Sequence, residues 1–363
     1  MNKVLKYFKE HDNLNIFSSE ITVYGWQDEY KHILTSSISK YLFEDLDITE
    51  NIVEVNKKNR PGRVTEKKYV TVHDTGDSSI LHTAKFWSEA VKNQKWEMKV
   101  GETVPYLCSY QYVVDNEGIY HNVPDNEVAY HAGDTTKYDY ALYKTNVVGT
   151  NIKPIITISK DGYYEIDGKI TICKAPRIYH EKEGIVLIDR NPETNDINDQ
   201  GILCELIDGE YYIGETYYNT GYKKIANRGG NNNSIGIESC INRDSDIYYT
   251  WQKTAKLVAK LLIENNLEIK DVRQHHYFSG KNCPQTMRMN NKWQHLLELI
   301  EFEKQIMLFK QEGYIIELIS NDECLNMQGR VNIRKYSGTI KYKIRTTKDD
   351  KVEELELEKS INI

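Results

Sequence analysis

The feature that most constrains the fold is an alternation of short β-type runs with longer helical runs through the middle of the chain. Residues Lys68–Thr75 follow period two, because Val70 and Val72 face one way and the residues between them face the other. Apolar residues at helical spacing follow at once, over Ser79–Asn93. Strands that alternate with helices predict an α/β fold, with a mixed central sheet flanked by helices.

The same alternation continues toward the C-terminus and sets the predicted extent of this domain. Further strands are predicted at Tyr106–Asp115, Ile119–Val123, Ser234–Ser239 and Asp271–His275, and further helices at Asp246–Asn266 and Asn291–Phe309. We place the α/β domain at residues 56–305. Residues 1–55 precede it as an N-terminal arm or small subdomain.

Two β-rich segments add to this domain. Residues 135–231 contain three Asp-Gly pairs between β-rich runs, and Asp-Gly favours hairpin turns, so we predict an inserted β-rich subdomain there. Eleven of the 27 tyrosines lie in it; tyrosines that fill a small β core are favoured over exposed ones that stack on sugar or peptide. The alternating runs Thr339–Arg345 and Val352–Glu358, with the turn-rich Ser320–Val331, predict a separate small β module at residues 311–363.

Composition excludes several classes of protein. The net charge is −7, whereas a nucleic-acid binder would carry a basic surface. The sequence has no run near the ~18 apolar residues that a membrane span requires, and its first residues lack the apolar region of a secretory signal. The six cysteines are scattered, so a disulfide framework is not expected.

The stretch with the strongest chemical signal is HHYFSGKNC, from His275 to Cys283. An imidazole at a strand end and a thiolate returning eight residues later can form two ligands of a tetrahedral zinc site. His73, at the polar end of the first strand, is the natural third ligand, because parallel strand ends meet at one edge of a sheet. By spacing alone, core histidines and a buried free cysteine explain the pattern equally well.

Five stretches together resemble the zinc-dependent N-acetylmuramoyl-L-alanine amidases of the phage-lysozyme and peptidoglycan-recognition-protein superfamily, especially phage endolysins. These stretches occur in the family's order, which is far more specific than any one of them. They are NRPG at residues 59–62, VTVHDTGD at 70–77, SYQYVVDNEGIYHNVPDNEVAYHAGD at 109–134, NSIGIESC at 233–240 and HHYFSGKNCP at 275–284.

The resemblance implies a role for each matching residue. The zinc ligands of the family correspond to His73, His275 and Cys283, and its acidic catalytic residue corresponds to Glu238. Lys281 matches the lysine that stabilises negative charge on the substrate. Some members carry a catalytic tyrosine at the position of Tyr110, where close relatives often have tryptophan. His131 matches a histidine near the substrate cleft and is a candidate for substrate binding.

The function implied by the resemblance is zinc-dependent hydrolysis of the amide between N-acetylmuramic acid and L-alanine in peptidoglycan. A phage endolysin or tail lysin is the first interpretation: synthesis in the host cytoplasm without a signal peptide, then action on the cell wall after release. A host autolysin of the same chemistry and a non-catalytic peptidoglycan-binding module are the alternatives. Binding-only relatives typically lack a zinc ligand, usually the cysteine, and all three positions are present here. The tail resembles the atrophied immunoglobulin-like domains of Firmicute surface proteins.

Overall fold

The fold was obtained as a computed structural model of the 363-residue chain. It describes residues 1–11, 18–26, 28–35, 42–43, 45–55, 57–93, 108–133, 135–136, 139–175, 177–182, 185–194, 204–215, 225–226, 229–279, 281–319 and 338–361. The stretch Ser320–Val331, predicted to be turn-rich, lies outside these residues.

The helices and strands of the described residues are numbered in chain order. The helices are α1 (Lys3–Glu10), α2 (Ala84–Lys92), α3 (Gly230–Asn233), α4 (Ile247–Glu264), α5 (His275–Ser279), α6 (Gln285–Met289) and α7 (Trp293–Gln311), with a 3₁₀ turn at Ile269–Asp271. The strands are β1 (Ser18–Tyr24), β2 (Glu29–Thr35), β3 (Ile48–Glu50), β4 (Tyr69–Asp74), β5 (Tyr112–Val114), β6 (Ile119–His121), β7 (Thr135–Thr136), β8 (Asp139–Val148), β9 (Ile156–Ile158), β10 (Tyr163–Ile166), β11 (Lys169–Lys174), β12 (Ile178–Lys182), β13 (Ile185–Arg190), β14 (Cys204–Ile207), β15 (Glu210–Glu215), β16 (Ile225–Ala226), β17 (Ser234–Ser239), β18 (Val272–Gln274), β19 (Ile315–Leu318), β20 (Gly338–Lys348) and β21 (Lys351–Ile361).

The central sheet has six strands in the order β18-β4-β17-β5-β6-β3. The first four run parallel to one another, whereas β6 is antiparallel to β5 and β3 is parallel to β6. Strands β4 and β17 carry apolar side chains that are fully buried, including Val70, Val72 and Ile237. Such runs are typical of parallel strands covered on both faces. The predicted mixed α/β sheet is confirmed.

Helices cover both faces of this sheet. Helix α4 begins where the Asp246 side chain accepts a hydrogen bond from the Tyr249 amide at 2.8 Å, an N-cap contact. Its residue Trp251 is fully buried in the same cluster as Val72. On the other face, Ala84 of α2 packs with Val113 of β5. Among the helices that the structure describes, none has the length and apolar composition needed to cross a membrane.

Two sequence predictions near the sheet need correction. Helix α2 begins at Ala84 and not at Ser79, because the Thr83 side chain accepts a hydrogen bond from the Phe86 amide and caps the helix there. The prediction that His275 ends a strand is also wrong. Strand β18 ends at Gln274 and both His275 and His276 belong to α5, where the His276 amide donates to the Cys283 carbonyl at 3.1 Å.

The inserted β-rich segment forms antiparallel sheets with a core of their own. The three Asp-Gly pairs lie at hairpin turns, β9–β10, β10–β11 and β14–β15, and all three glycines have positive φ. Six buried side chains form its main cluster: Val147, Tyr164, Ile166, Ala175, Tyr211 and Ile213. The predicted β-rich insertion is therefore confirmed, and two of its tyrosines fill its core.

The two ends of the chain pack against each other. The Asn2 side chain caps α1, accepting from the Val4 and Leu5 amides at 3.1 Å, and donates to Thr346 Oγ1 of β20 at 2.8 Å. Leu5 and Ile344 belong to the cluster that covers the central sheet. The tail strands form one antiparallel sheet, β19-β20-β21. The domain boundaries stay a prediction, since both end segments share a core with the α/β domain.

Candidate active site

The candidate site lies at the carboxyl ends of the parallel strands. His73 near the end of β4 pairs directly with Glu238 of β17 in the sheet register. On the other side of β4, Val72 pairs with Gln274, the last residue of β18, and His275 follows it. Because parallel strands end at the same edge of a sheet, His73, Glu238 and His275 lie together at that edge.

The segment after α5 brings the cysteine to this edge. The Cys283 amide donates to the Lys281 carbonyl at 2.7 Å, and the Cys283 carbonyl accepts from the His276 amide at 3.1 Å. These contacts fold the segment back on α5, and Cys283 Sγ lies 3.7 Å from His73 Nδ1. Nitrogen atoms of His73 and His275 and Sγ of Cys283 all lie within 4.8 Å of one another, and the three residues are buried.

The donor set suits zinc. Zn–N and Zn–S bond lengths place tetrahedral ligand atoms about 3.5 Å apart, close to the separation between Cys283 and His73. Burial, followed by the nearby His275, His131 and Lys281, lowers the pKa of His73 well below its ordinary value, so its imidazole is neutral as a metal ligand must be. Burial raises the pKa of the Cys283 thiol, and a bound divalent cation would reverse that effect.

Glu238 lies beside the predicted ligands with its side chain 13% exposed, and its Oε1 is 3.8 Å from His73 Nδ1. Burial raises the pKa of Glu238 to about 8, although the Lys281 ammonium opposes this. A carboxylate with a proton affinity matched to neutral pH is suited to general-base chemistry. Lys281 lies two residues before Cys283, whose amide donates to the Lys281 carbonyl, and the charge of Lys281 lowers the pKa of both His73 and Cys283.

Tyr110 is held away from the ligand cluster. Its hydroxyl donates to the Trp87 carbonyl of α2 at 3.0 Å, and its ring is buried beside Cys240 in the cluster on that face of the sheet. The structure thus joins His73, His275, Cys283, Glu238 and Lys281, and it directs the Tyr110 hydroxyl elsewhere. The catalytic role of Tyr110 stays a prediction.

His131 lies behind His73, on the side opposite Cys283. Its Nδ1 is 2.9 Å from His73 Nε2, so the two ring nitrogens of His73 face different partners. The Asn231 side chain fixes this position by accepting from the His131 and Ala132 amides at 2.7 Å. Gly236 leaves room for the ring, since a Cβ there would lie 2.7 Å from it. A contact with substrate stays a prediction.

Two contributors to the site were missed in the sequence. Asn231 precedes the matched NSIGIESC stretch, and Gly236 lies inside it; a glycine within an apolar strand is a signal of close approach by another group. Asp74 and Asp77 flank His73 in the sequence, where either is a candidate to orient a ligand imidazole. In the structure Asp74 accepts from the Thr286 amide at 2.7 Å and lies 3.9 Å from Cys283 Sγ, so it positions the cysteine segment. Asp77 instead contacts His82 Nδ1 at 2.7 Å.

The profile of the N-acetylmuramoyl-L-alanine amidase family matches residues 63–286, more than half of the chain. The chain belongs to this family. The matched range contains the His73–His275–Cys283 cluster together with Glu238 and Lys281. The family resemblance predicted from the sequence is thereby confirmed, whereas the immunoglobulin-like resemblance of the tail stays a prediction.

Two proteins of Bacillus subtilis (strain 168) are similar over about two thirds of the chain. N-acetylmuramoyl-L-alanine amidase CwlH is 22% identical over 240 residues, which are 66% of this chain and 56% of that protein. N-acetylmuramoyl-L-alanine amidase XlyA is 21% identical over 242 residues, which are 67% of this chain and 48% of that protein. The chain spans about half the length of the curated relatives it matches.

Solved structures show a distant likeness. The catalytic domain of XlyA aligns with a TM-score of 0.39 at 20% identity, covering 70% of this chain and 99% of that one. The Staphylococcus aureus hydrolase AmiA, in complex with its ligand, aligns with a TM-score of 0.37 at 12% identity, covering 75% of this chain and 90% of that one. At these values the likeness adds nothing to the interpretation of the site, which rests on its geometry.

Proposed function

We propose that this protein uses zinc to hydrolyse the amide between N-acetylmuramic acid and L-alanine in peptidoglycan. The observation that carries the proposal is the buried convergence of two imidazoles and a thiol within 4.8 Å, with the Glu238 carboxylate beside them. Membership of the amidase family supports the choice of substrate. A non-catalytic binding module would not require this complete donor set.

His73, His275 and Cys283 would hold the metal, with His73 presenting Nδ1, the nitrogen that faces Cys283 Sγ. A bound zinc would lower the pKa of water toward ~7 and polarise the substrate carbonyl. The other ring nitrogen of His73, Nε2, faces His131 Nδ1 and can donate a hydrogen bond to it. That hydrogen bond fixes which nitrogen of His73 is left for the metal.

Glu238 would accept the proton of the attacking water and later deliver a proton to the leaving amine. Burial raises the pKa of its carboxyl to about 8, and the charge of a bound zinc would lower that pKa again, so the group could bind and release a proton near neutral pH. The Lys281 ammonium would stabilise the negative charge that develops on the carbonyl oxygen. Neither residue is a proposed metal ligand. Glu238 would transfer protons, and Lys281 would stabilise negative charge, at the bond that breaks.

The test is digestion of purified peptidoglycan by the full chain, with and without a chelator. New L-alanine amino termini are expected, without new reducing sugars, and only when zinc is present. Reducing sugars in place of amino termini would show a glycosidase, and chelator-resistant release of amino termini would show that zinc is not needed. We also propose the cell wall as the place of action, in an endolysin, a tail lysin or an autolysin.

A further inference from the structure

A cavity of about 420 Å³ lies between the insertion and the outer edge of the central sheet. The insertion contributes Lys153 and Glu205 to its lining, and the α/β domain contributes residues of β18 and of the segments that follow it, including Arg273 and Arg288. His275 directly follows β18 in the chain, and its neighbours Gln274 and His276 line the cavity. Its lining consists of residues other than the three predicted ligands.

The lining is rich in cationic groups, with Lys153, Arg273 and Arg288 against the single carboxyl of Glu205. Lys153 Nζ and Arg273 Nε are buried and have no hydrogen-bond partner within the described part of the chain. The Arg273 guanidinium lies 4.3 Å from the centre of the Tyr277 ring, and its charge opposes the rise that burial causes in the pKa of the Glu205 carboxyl. A buried donor without a partner is costly, and a buried charge without one costs more.

The Asp74 carboxyl acts on Arg288 through its charge, while the Arg288 side chain donates hydrogen bonds to neutral groups. Its Nε donates to Asn282 Oδ1 at 2.9 Å, and its Nη1 donates to Gln274 Oε1. Burial and, less strongly, the nearby Arg288 together lower the pKa of Lys153 to about 8. Burial likewise lowers the pKa of Arg288 to about 10. Both groups therefore remain cationic at pH 7 and repel each other across the cavity.

We propose that this cavity is a subsite for an oxyanion, a carboxylate or a phosphate, bound by Lys153, Arg273 and Arg288. An oxyanion would supply the acceptors that the two buried donors lack and would relieve the repulsion between the cations. The choice of candidate anions rests on the proposed function, which places the protein at a cell wall. A cell wall offers two: the carboxylates of the stem peptide, which continues from the scissile amide, and the phosphates of wall-attached polymers.

The test is calorimetric titration of the full chain with three probes that contain no scissile amide. These are the tripeptide L-Ala-γ-D-Glu-L-Lys, the same peptide with its carboxyl groups amidated, and inorganic phosphate. Lys153→Met removes the charge and keeps the length of the side chain. Lys160→Met is the matched control, because Lys160 is an exposed lysine in the β9–β10 turn of the same insertion.

We expect saturable binding of the tripeptide, of phosphate or of both by the wild-type chain, and binding about tenfold or more weaker in Lys153→Met but unchanged in Lys160→Met. Preference for the tripeptide over its amidated form would identify the stem peptide as the source, and preference for phosphate would identify the wall polymer. Equal thermal stability of the two variants would show that the weaker binding does not come from unfolding.

Absence of binding by the wild-type chain, or equal affinities of wild type and Lys153→Met for every probe, would overturn the subsite. This result is independent of the proposed reaction. A chain that binds the anions but releases no L-alanine amino termini would contradict the hydrolase and leave the subsite intact. A chain that releases amino termini but does not bind the anions would contradict the subsite and leave the hydrolase intact.

Discussion

The central sheet and the inserted segment use β-structure in opposite ways. In the sheet, β4 and β17 are buried on both faces, and their register sets His73 against Glu238 at one edge. In the insertion, hairpins enclose a small core of their own, and side chains such as Lys153 face a cavity at its border. The comparison shows that the sheet brings the predicted site residues together, and we infer that the insertion adds recognition.

The largest expected difference between the two regions concerns the metal. Cys283→Ser replaces a thiolate donor by a hydroxyl that remains protonated, so we expect loss of zinc and a fall in turnover of about 10⁴-fold or more. Zinc content and release of L-alanine amino termini measure the effect. The control is Cys173→Ser in the insertion, whose Sγ lies 3.4 Å from the Lys144 carbonyl oxygen. If Cys173→Ser also removed zinc, the assignment of chemistry to the sheet alone would fail.

The next effect concerns proton transfer. Glu238→Gln keeps the size of the side chain and removes its basicity, so we expect retained zinc and a loss of turnover of about 10²–10⁴-fold. The matched control is Glu165→Gln in the insertion, where Glu165 Oε2 accepts from Thr157 Oγ1 at 2.7 Å. Normal turnover of Glu238→Gln on purified peptidoglycan would exclude Glu238 as the general base.

A smaller effect is expected at His131, which forms a hydrogen bond with the predicted metal ligand His73. His131→Gln weakens the hydrogen bond to His73 Nε2, so we expect zinc affinity to fall about 10–100-fold. Competition with a zinc indicator measures this affinity, and steady-state kinetics measures KM separately. An increase in KM with unchanged zinc affinity would instead support the contact with substrate predicted from the sequence.

The smallest effect on catalysis is expected from the core of the insertion. Ile166→Ala removes a fully buried side chain there and should destabilise the hairpins locally by about 2–4 kcal/mol, with turnover on soluble muropeptides changed less than about twofold. Hydrogen exchange locates the loss of protection. The counterpart, Ile237→Ala in β17, should lower both stability and turnover. Equal kinetic effects would show that the two cores are coupled.

The sequence predicted the elements whose signals are local. The apolar runs around Val70 and Ile237 specify buried parallel strands. Asp167-Gly168 and Asp208-Gly209 specify hairpin turns, because Asp and Gly reach positive φ at low cost. The convergence of His73, His275 and Cys283 was also predicted, from the strand ends and from the family motifs.

Features that depend on distant parts of the chain could not be predicted. Asn2 caps α1 and also contacts Thr346, a pairing across 344 positions that no local pattern encodes. His275 begins a helix because the backbone of His276 bonds to Cys283, a contact set by the returning segment. The cavity around Lys153 exists only because the insertion folds against β18.

The most direct test of the central claim is X-ray absorption spectroscopy at the zinc edge, combined with elemental analysis, on the purified full chain. We predict one zinc per chain, with two imidazole nitrogens and one sulfur in its first coordination shell, and loss of the sulfur signal in Cys283→Ser. A chain that takes up no zinc, or a zinc site without sulfur in the wild-type protein, would contradict the account.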